Sequence, residues 1–230
     1  MSASTADQPD SSPFGTVLTD PSQLTGLYRE VSSGAANKEV AEIDQVSADF
    51  IAAATFCLIG TSDSDGNCDV SPKGGNPGFV KVLDGQRLVI PDLNGNNRLD
   101  SIRNIIDNPH VGLLFLVPER GETLRVNGKA WVTVDDEILD LFTDEYRRPT
   151  SAIGVQLDTA YMHCAKCIRR AGLWEPDSWS ASAAAPTGAT MLFEHLGLDE
   201  KHRESVERNL ERSYVDDLIA DRPVTNDAES

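Results

Sequence analysis

Positive charge is scarce in this 230-residue chain: 20 Lys and Arg stand against 37 Asp and Glu, a formal net charge of −17. That excludes a general nucleic-acid binder, which needs a basic footprint. It equally disfavours adhesion to anionic membranes. Long apolar runs are missing too; none approaches the roughly 18 residues of a membrane-spanning helix. Residues Met1–Pro13 lack the basic, apolar and small-residue regions of a secretory signal, so a cytoplasmic protein is expected. Cysteine is sparse: four in the chain do not make a disulfide framework, and a reducing cytosol keeps them as thiols. His110, His163, His195 and His202 are scattered. No Ser/His/Asp or Cys/His catalytic set can be assigned.

What is present suffices for a folded core. A chain of this length buries roughly 70% of its unfolded surface. Residues 1–13 and 222–230 read as disordered tails, with a single domain at 14–221 between them. Asp20-Pro21-Ser22-Gln23 combines a cap, a first-turn proline and a capping-box Gln, predicting a helix to about Val31. A second helix is expected over Val46–Ala54, opened by Ser47. The period then changes. Thr55–Thr61 and Cys68–Ser71 read as strands around the Asp65-Gly66 turn, and Lys81–Leu83 and Arg87–Ile90 as strands around Asp84-Gly85. Val111–Val117 reads as a buried strand. Thr123–Val134 is a long, mostly alternating strand with Gly128 inside it as a bulge or bend, and Ala152–Leu157 is the last strand. Leu99, Ile102, Ile105 and Ile106 mark one face of a short helix ended by Asn108-Pro109. Asp158 is placed as the cap of a helix reaching about Arg170. Residues 175–190 read as a loop, and Glu200–Asp221 as a helix with Glu204 and Arg208 paired on it. Strands outnumber helices and most turns are short, so the fold class is mainly β (α+β). An antiparallel sheet or barrel with peripheral helices follows.

Four stretches can carry chemistry. Pro91-Asp92-Leu93-Asn94-Gly95-Asn96-Asn97-Arg98 runs into the helix at Leu99. A loop ending at a helix N-terminus offers backbone N–H groups and a positive dipole end to an anion. Asn96 or Asn97 can cap, and Arg98 can fork onto a phosphate; the bland alternative is a plain capped loop. Asp92-x-Asn94-x-Asn96 opens like a calcium loop, but Asn97 and Arg103 stand where Gly and Glu belong. Asp63-x-Asp65-x-Asn67 fails likewise. Ser71-Pro72-Lys73-Gly74-Gly75 ends a strand with small residues that admit a ligand close to the backbone. Lys73 adds a cation, though a solvated surface lysine is the simpler reading. It is not a P-loop. His163-Cys164-Ala165-Lys166-Cys167 contains a CxxC inside the expected helix, with His163 and Cys167 on one face. No second ligand cluster completes a metal site, so no metal is expected, and the helical setting disfavours a redox pair. Trp174, just before Pro176, belongs either to the core or over a flat ligand.

Taken in order from Phe50 to Pro176, these pieces resemble the pyridoxamine 5′-phosphate oxidase-like, FMN-binding split-barrel superfamily. The resemblance is carried by Asn97-Arg98-Leu99-Asp100-Ser101-Ile102, by Asn108-Pro109-His110-Val111-Gly112-Leu113-Leu114-Phe115 and by Leu124-Arg125-Val126-Asn127-Gly128-Lys129-Ala130. Asp69-Val70-Ser71-Pro72-Lys73-Gly74, His163-Cys164-Ala165-Lys166 and Leu173-Trp174 look like a bacterial flavin-binding subgroup. The resemblance implies a split barrel of six or so antiparallel strands, with FMN held at a homodimer interface. It puts Arg98 and Lys73 on the FMN phosphate, with Ser71 and Asn97 adding hydrogen bonds. Pro91 and Asp92 would line the isoalloxazine edge, and Lys166 and Trp174 would come from the partner subunit. Pro72, Gly74 and Asn96 complete the implied cofactor-binding set.

The chain also departs from that pattern. Ser71-Pro72-Lys73 stands in place of the Arg-x-Val-Leu-Leu-Lys segment of the vitamin B6 oxidases, and no substrate-phosphate Arg/His set follows Trp174. Vitamin B6 oxidation is therefore not implied. The extra His-bearing segments of haem-degrading relatives are not identifiable, and the charge balance disfavours a deazaflavin's long anionic tail. Two functions remain. One is an FMN-dependent oxidoreductase acting on a small molecule, with NAD(P)H as a possible donor. The other is a non-catalytic flavin-binding carrier or sensor dimer.

Overall fold

A computed structural model describes residues 12–179 and 182–224 of the chain. Most of the two expected tails, residues 1–11 and 225–230, lies outside the described residues. The chain divides into two compact units, one up to Lys38 and one from Glu39 onward.

In the first unit the Asp20 capping box forms as expected. Asp20 accepts the Ser22 N–H at 2.7 Å, and Gln23 accepts the Asp20 N–H at 2.9 Å. The element it opens is a single 3-10 turn, Pro21–Leu24, not a helix to Val31. Thr25 is extended, and Gly26 takes φ +87°, a left-handed conformation that ends a helix. A one-turn helix α1, Ser33–Ala36, follows.

The second unit begins with α2, Gln45–Ala53. Its cap is Asp44, which accepts the Ser47 N–H at 2.8 Å; the opening residue is therefore not Ser47. Seven strands then form one antiparallel sheet, one more than the six or so expected. They are β1 (Phe56–Ser62), β2 (Cys68–Gly74), β3 (Lys81–Val82), β4 (Arg87–Pro91), β5 (His110–Leu116), β6 (Thr123–Thr133) and β7 (Ala152–His163). Their spatial order is β2-β1-β5-β6-β7-β4-β3. Alternation decides what each strand buries: Cys57, Ile59 and Thr61 from β1, Val111, Leu113 and Phe115 from β5. The strand expected as buried over Val111–Val117 forms as His110–Leu116, with one face buried and the other half-buried. The sheet curls on itself. Four strands lie between edge strand β2 and β4 in the order, yet Lys73 Nζ lies 3.4 Å from Asp92 Oδ1. The fold is an α+β split barrel, open between β2 and β4.

Helix α3 (Asp100–Asp107) lies between β4 and β5, and α4 (Asp136–Asp140) between β6 and β7. The expected apolar face of α3 is corrected. Ile105 is buried and Ile102 packs against the core, but Leu99 and Ile106 are exposed. Ser101 and Asn104 take the remaining inward places, where they bond to Ser71 of β2 and Thr61 of β1.

The last strand is longer than expected. Ala152–Leu157 continues to His163, so Asp158 caps no helix. Asn127 pairs with Thr159 and Gly128 with Leu157, leaving Asp158 as the extra residue of a β-bulge. The irregularity expected at Gly128 is this bulge: the register shifts between Asn127 and Gly128, and a Cβ on Gly128 would stand 2.0 Å from the Gln156 carbonyl oxygen. Helix α5 is short, Lys166–Ala171. His163 ends a strand and Cys164 precedes the helix, so His163 and Cys167 do not share a helical face.

The expected loop at 175–190 holds 3-10 turns at Pro176–Ser178 and Ser182–Ala184 and the start of α6, Gly188–His195. Helix α7 runs Arg203–Ala220, after a 3-10 turn at Glu200–His202. Arg208 and Glu204 pair on it at 3.3 Å, as expected. Among the described residues no helix is long and apolar enough to cross a membrane, and no His/Cys/Asp/Glu group is placed to hold a metal.

Candidate functional site

The gap between β2 and β4 opens into a cleft of about 440 Å³. One wall is β2, from Asp69 to Gly74; the other is Pro91–Asp92 at the end of β4. The loop Leu93–Arg98 and the first turn of α3 close the end. Nine of the residues singled out from the sequence line this one cleft: Ser71, Pro72, Lys73, Gly74, Pro91, Asp92, Asn96, Asn97 and Arg98. Residues 71–74 and 91–98 are distant in sequence, and the curl of the sheet alone brings them together.

The loop reaches α3 through two left-handed residues. Asn97 has φ +54° and Leu99 φ +61°. Asn tolerates this region, whereas for Leu it costs roughly 1–2 kcal/mol. Leu99 is the cap residue of α3, and no side chain caps the helix. The expected Asn caps are corrected: Asn96 turns back and accepts the Arg98 N–H at 3.1 Å. The first-turn amides of α3 therefore open onto the cleft without a side chain across them. A helix start of this kind favours an anion.

Two cations line the cleft, each beside a carboxylate. Lys73 meets Asp92 at 3.4 Å, with both side chains about one-fifth exposed. Arg98 Nε donates to Asp100 Oδ2 at 2.7 Å, and Arg98 is 72% exposed. The Asp100 hydrogen bond, helped by its charge, raises the Arg98 pKa, so the guanidinium stays charged. Asp69 accepts from Asn104 Nδ2 at 2.9 Å, and Asn104 also reaches Thr61 at 3.1 Å. Ser101 donates to Ser71 at 2.9 Å. These bonds pin α3 to β1 and β2 and fix where its N-terminus sits.

The residues sequence reasoning missed are Asp69, Asp100 and Ser101, which stood beside the motifs without a role, and Ser151. The Asp92 N–H donates to the Ser151 carbonyl at 3.0 Å, and nothing local announces that contact. Gly75 serves packing rather than ligand approach. A Cβ there would lie 2.5 Å from the Tyr146 hydroxyl and 2.7 Å from Phe79 Cβ.

Lys166 and Trp174 do not line the cleft. Pro91 pairs with Ala152 at one end of β7, and Lys166 follows His163 at the other. The 12 residues of β7 span about 35–40 Å of strand between those points. Trp174 is only partly buried and donates its indole N–H to the Arg120 carbonyl at 2.6 Å, so it is not a core residue.

A sequence model of the pyridoxamine 5′-phosphate oxidase family matches residues 43–164, more than half of the chain. The chain belongs to that family. The matched span covers every strand of the barrel and the whole cleft and ends one residue beyond β7. No curated protein matches the chain. Similar solved structures include HupZ of Group A Streptococcus, at 19% identity and TM-score 0.43, covering 51% of this chain and 91% of that one. A NimC/NimA family protein from Clostridium acetobutylicum aligns at 17% identity and TM-score 0.40, covering 53% and 88%. An FMN-binding protein from Syntrophomonas wolfei aligns at 8% identity and TM-score 0.41, covering 52% and 88%.

Proposed function

We propose that the cleft binds FMN and that the protein is an FMN-dependent oxidoreductase acting on a small molecule. The observation that carries this reading is the convergence of Arg98, Lys73 and the uncapped start of α3 on one cleft. The donors suit a phosphate: a guanidinium, an ammonium, serine hydroxyls and helix amides. The cleft volume is that of a small-molecule site. Asp69, Asp92 and Asp100 also line it, so the two cations do not stand in surplus. A phosphate would enter by taking Arg98 over from Asp100, and Arg98 is exposed enough to swing.

When bound, FMN supplies the hydride or electron transfer. The chain's own residues bind and orient. Arg98, Lys73 and the α3 amides would hold the phosphate, while Ser71, Asn96 and Asn97 would add hydrogen bonds. Pro91 and Asp92 would line the ring edge. Lys166 and Trp174 lie too far along β7 to touch the same ligand from the same chain. We infer that a second copy supplies them, in a homodimer with the cofactor between the subunits.

The test is an absorbance scan of the purified protein before and after FMN addition and desalting. Retained flavin bands support the reading; a protein that stays colourless refutes it. Oxidation of NAD(P)H by the loaded protein then separates an oxidoreductase from a carrier or sensor, which would leave the flavin inert to every donor.

A further inference from the structure

A carboxylate at a helix C-terminus faces the negative end of the helix dipole and is disfavoured there. Asp221 occupies that place as the C-terminal cap of α7. Its side chain engages a loop 127 positions away in sequence: Oδ1 accepts the Asn94 backbone N–H at 3.0 Å and the Asn94 side-chain N–H at 2.7 Å. Its backbone carbonyl accepts the Arg147 N–H at 2.7 Å. One residue therefore ties the end of α7 to the cleft loop and to the segment before β7.

The rest of α7 is turned to other work. It buries none of its residues. Arg203 pairs with Glu194 and Glu200, Arg208 with Glu204, and Arg212 with Asp216, all within the C-terminal helices. The cleft loop, for its part, has little else to hold it. Asn94 to Leu99 are exposed, and a Cβ on Gly95 would meet nothing within 4 Å. Few contacts and exposed backbone put such a segment at the low-stability end of a fold.

We propose that Asp221 is a positioning residue for the cleft. It holds the loop Leu93–Arg98 in the shape that presents Arg98 and the α3 amides to an anion, and it thereby couples ligand affinity to the docking of the C-terminal helix. The ligand part rests on the flavin reading above; the tie itself rests on the Asn94 geometry. If only the tied loop is competent, the apparent Kd rises by the inverse of the tied fraction.

The experiment uses the full chain and two readouts. Amide hydrogen exchange over residues 93–99 is followed without ligand, and FMN is titrated by flavin fluorescence. Asp221→Ala is expected to speed exchange in that segment and to weaken FMN binding about fivefold or more, a shift within reach of two lost charge-assisted hydrogen bonds. Asp221→Asn keeps an acceptor oxygen and should restore most of both. Asn94→Ala removes one of the two bonds, and combined with Asp221→Ala it should add little further loss. Unchanged exchange at 93–99 in Asp221→Ala overturns the tie. Faster exchange with unchanged FMN affinity overturns the positioning role. If the wild-type chain binds no FMN, the flavin reading and the ligand part fail together, and the exchange readout alone then upholds or overturns the tie.

Discussion

Gly128 is the position where a single methyl group should do the most damage. A Cβ there would stand 2.0 Å from the Gln156 oxygen, 3.0 Å from the Gln156 carbonyl carbon and 3.1 Å from Leu157 Cα. All three are backbone atoms of β7, so no side-chain rotation relieves the clash. β7 must move away by about 1 Å or more, and it is paired with β6 on one side and β4 on the other. Overpacking of a rigid site costs about 1–3 kcal/mol, and a backbone obstacle puts Gly128→Ala at the upper end or beyond. At about 3 kcal/mol, a chain of this size should lose roughly 6–12 °C in Tm. Gly154, in the facing strand β7, is the control: its Cβ would meet only the Trp131 oxygen at 3.9 Å, an ordinary contact. Gly154→Ala should be neutral or slightly stabilising, since alanine loses less chain entropy on folding than glycine. Thermal unfolding followed by circular dichroism gives both numbers. A Gly128→Ala protein that melts with the wild type would refute the bulge geometry. Equal losses at both positions would refute the steric argument. Because Asp92 directly follows β4, which pairs with β7, the displaced β7 should also weaken whatever the cleft binds.

Arg98→Ala should fold normally, since Arg98 is exposed and bonded only to its near neighbours, and should bind FMN about tenfold more weakly or worse; unchanged affinity would remove Arg98 from the phosphate grip. Burial pushes the Cys57 thiol up to about 12, while Cys68, Cys164 and Cys167 are exposed. A thiol reagent should therefore titrate three cysteines in the native protein and the fourth only in denaturant. Because the unfolded thiol ionises near its ordinary value of 9.0, stability should fall as pH rises from there toward 12, and Cys57→Ala should flatten that limb. The Ser47 hydrogen bonds at the start of α2 hold the Asp44 carboxyl below its ordinary value of 3.8. The stability it contributes is present above that value and lost as pH falls through the lowered one. Asp44→Ala should thus cost about 1 kcal/mol at neutral pH, roughly 2–4 °C in Tm, and converge with the wild type in strong acid.

Local chemistry announced its elements well. Asp65-Gly66 and Asp84-Gly85 marked their turns, Asn108-Pro109 ended α3, and the alternation of Thr123–Val134 with Gly128 inside it marked a long strand with an irregularity at the glycine. Errors came where two local signals compete. Asp158 is as good a helix cap as a bulge residue, and pairing with β6 chose the bulge. Asp20 to Gln23 nucleates a turn, but nothing beyond Gly26 propagates it into a helix.

The candidate site divides in the same way. Residue types alone determined that Ser71–Gly74 and Pro91–Arg98 could meet an anion, because a cation next to small residues or a helix start has that capacity wherever it sits. Only the tertiary structure decided that the two segments face one cleft. β2 and β4 never pair, and their meeting depends on the accumulated curl of the strands between them. The same holds for Asp221. Its carboxylate reads locally as a poor residue for the end of a helix, and its partner Asn94 is 127 positions away. No periodicity or motif spans that distance, because what joins the two is the path of the folded chain and not any property of the residues between them.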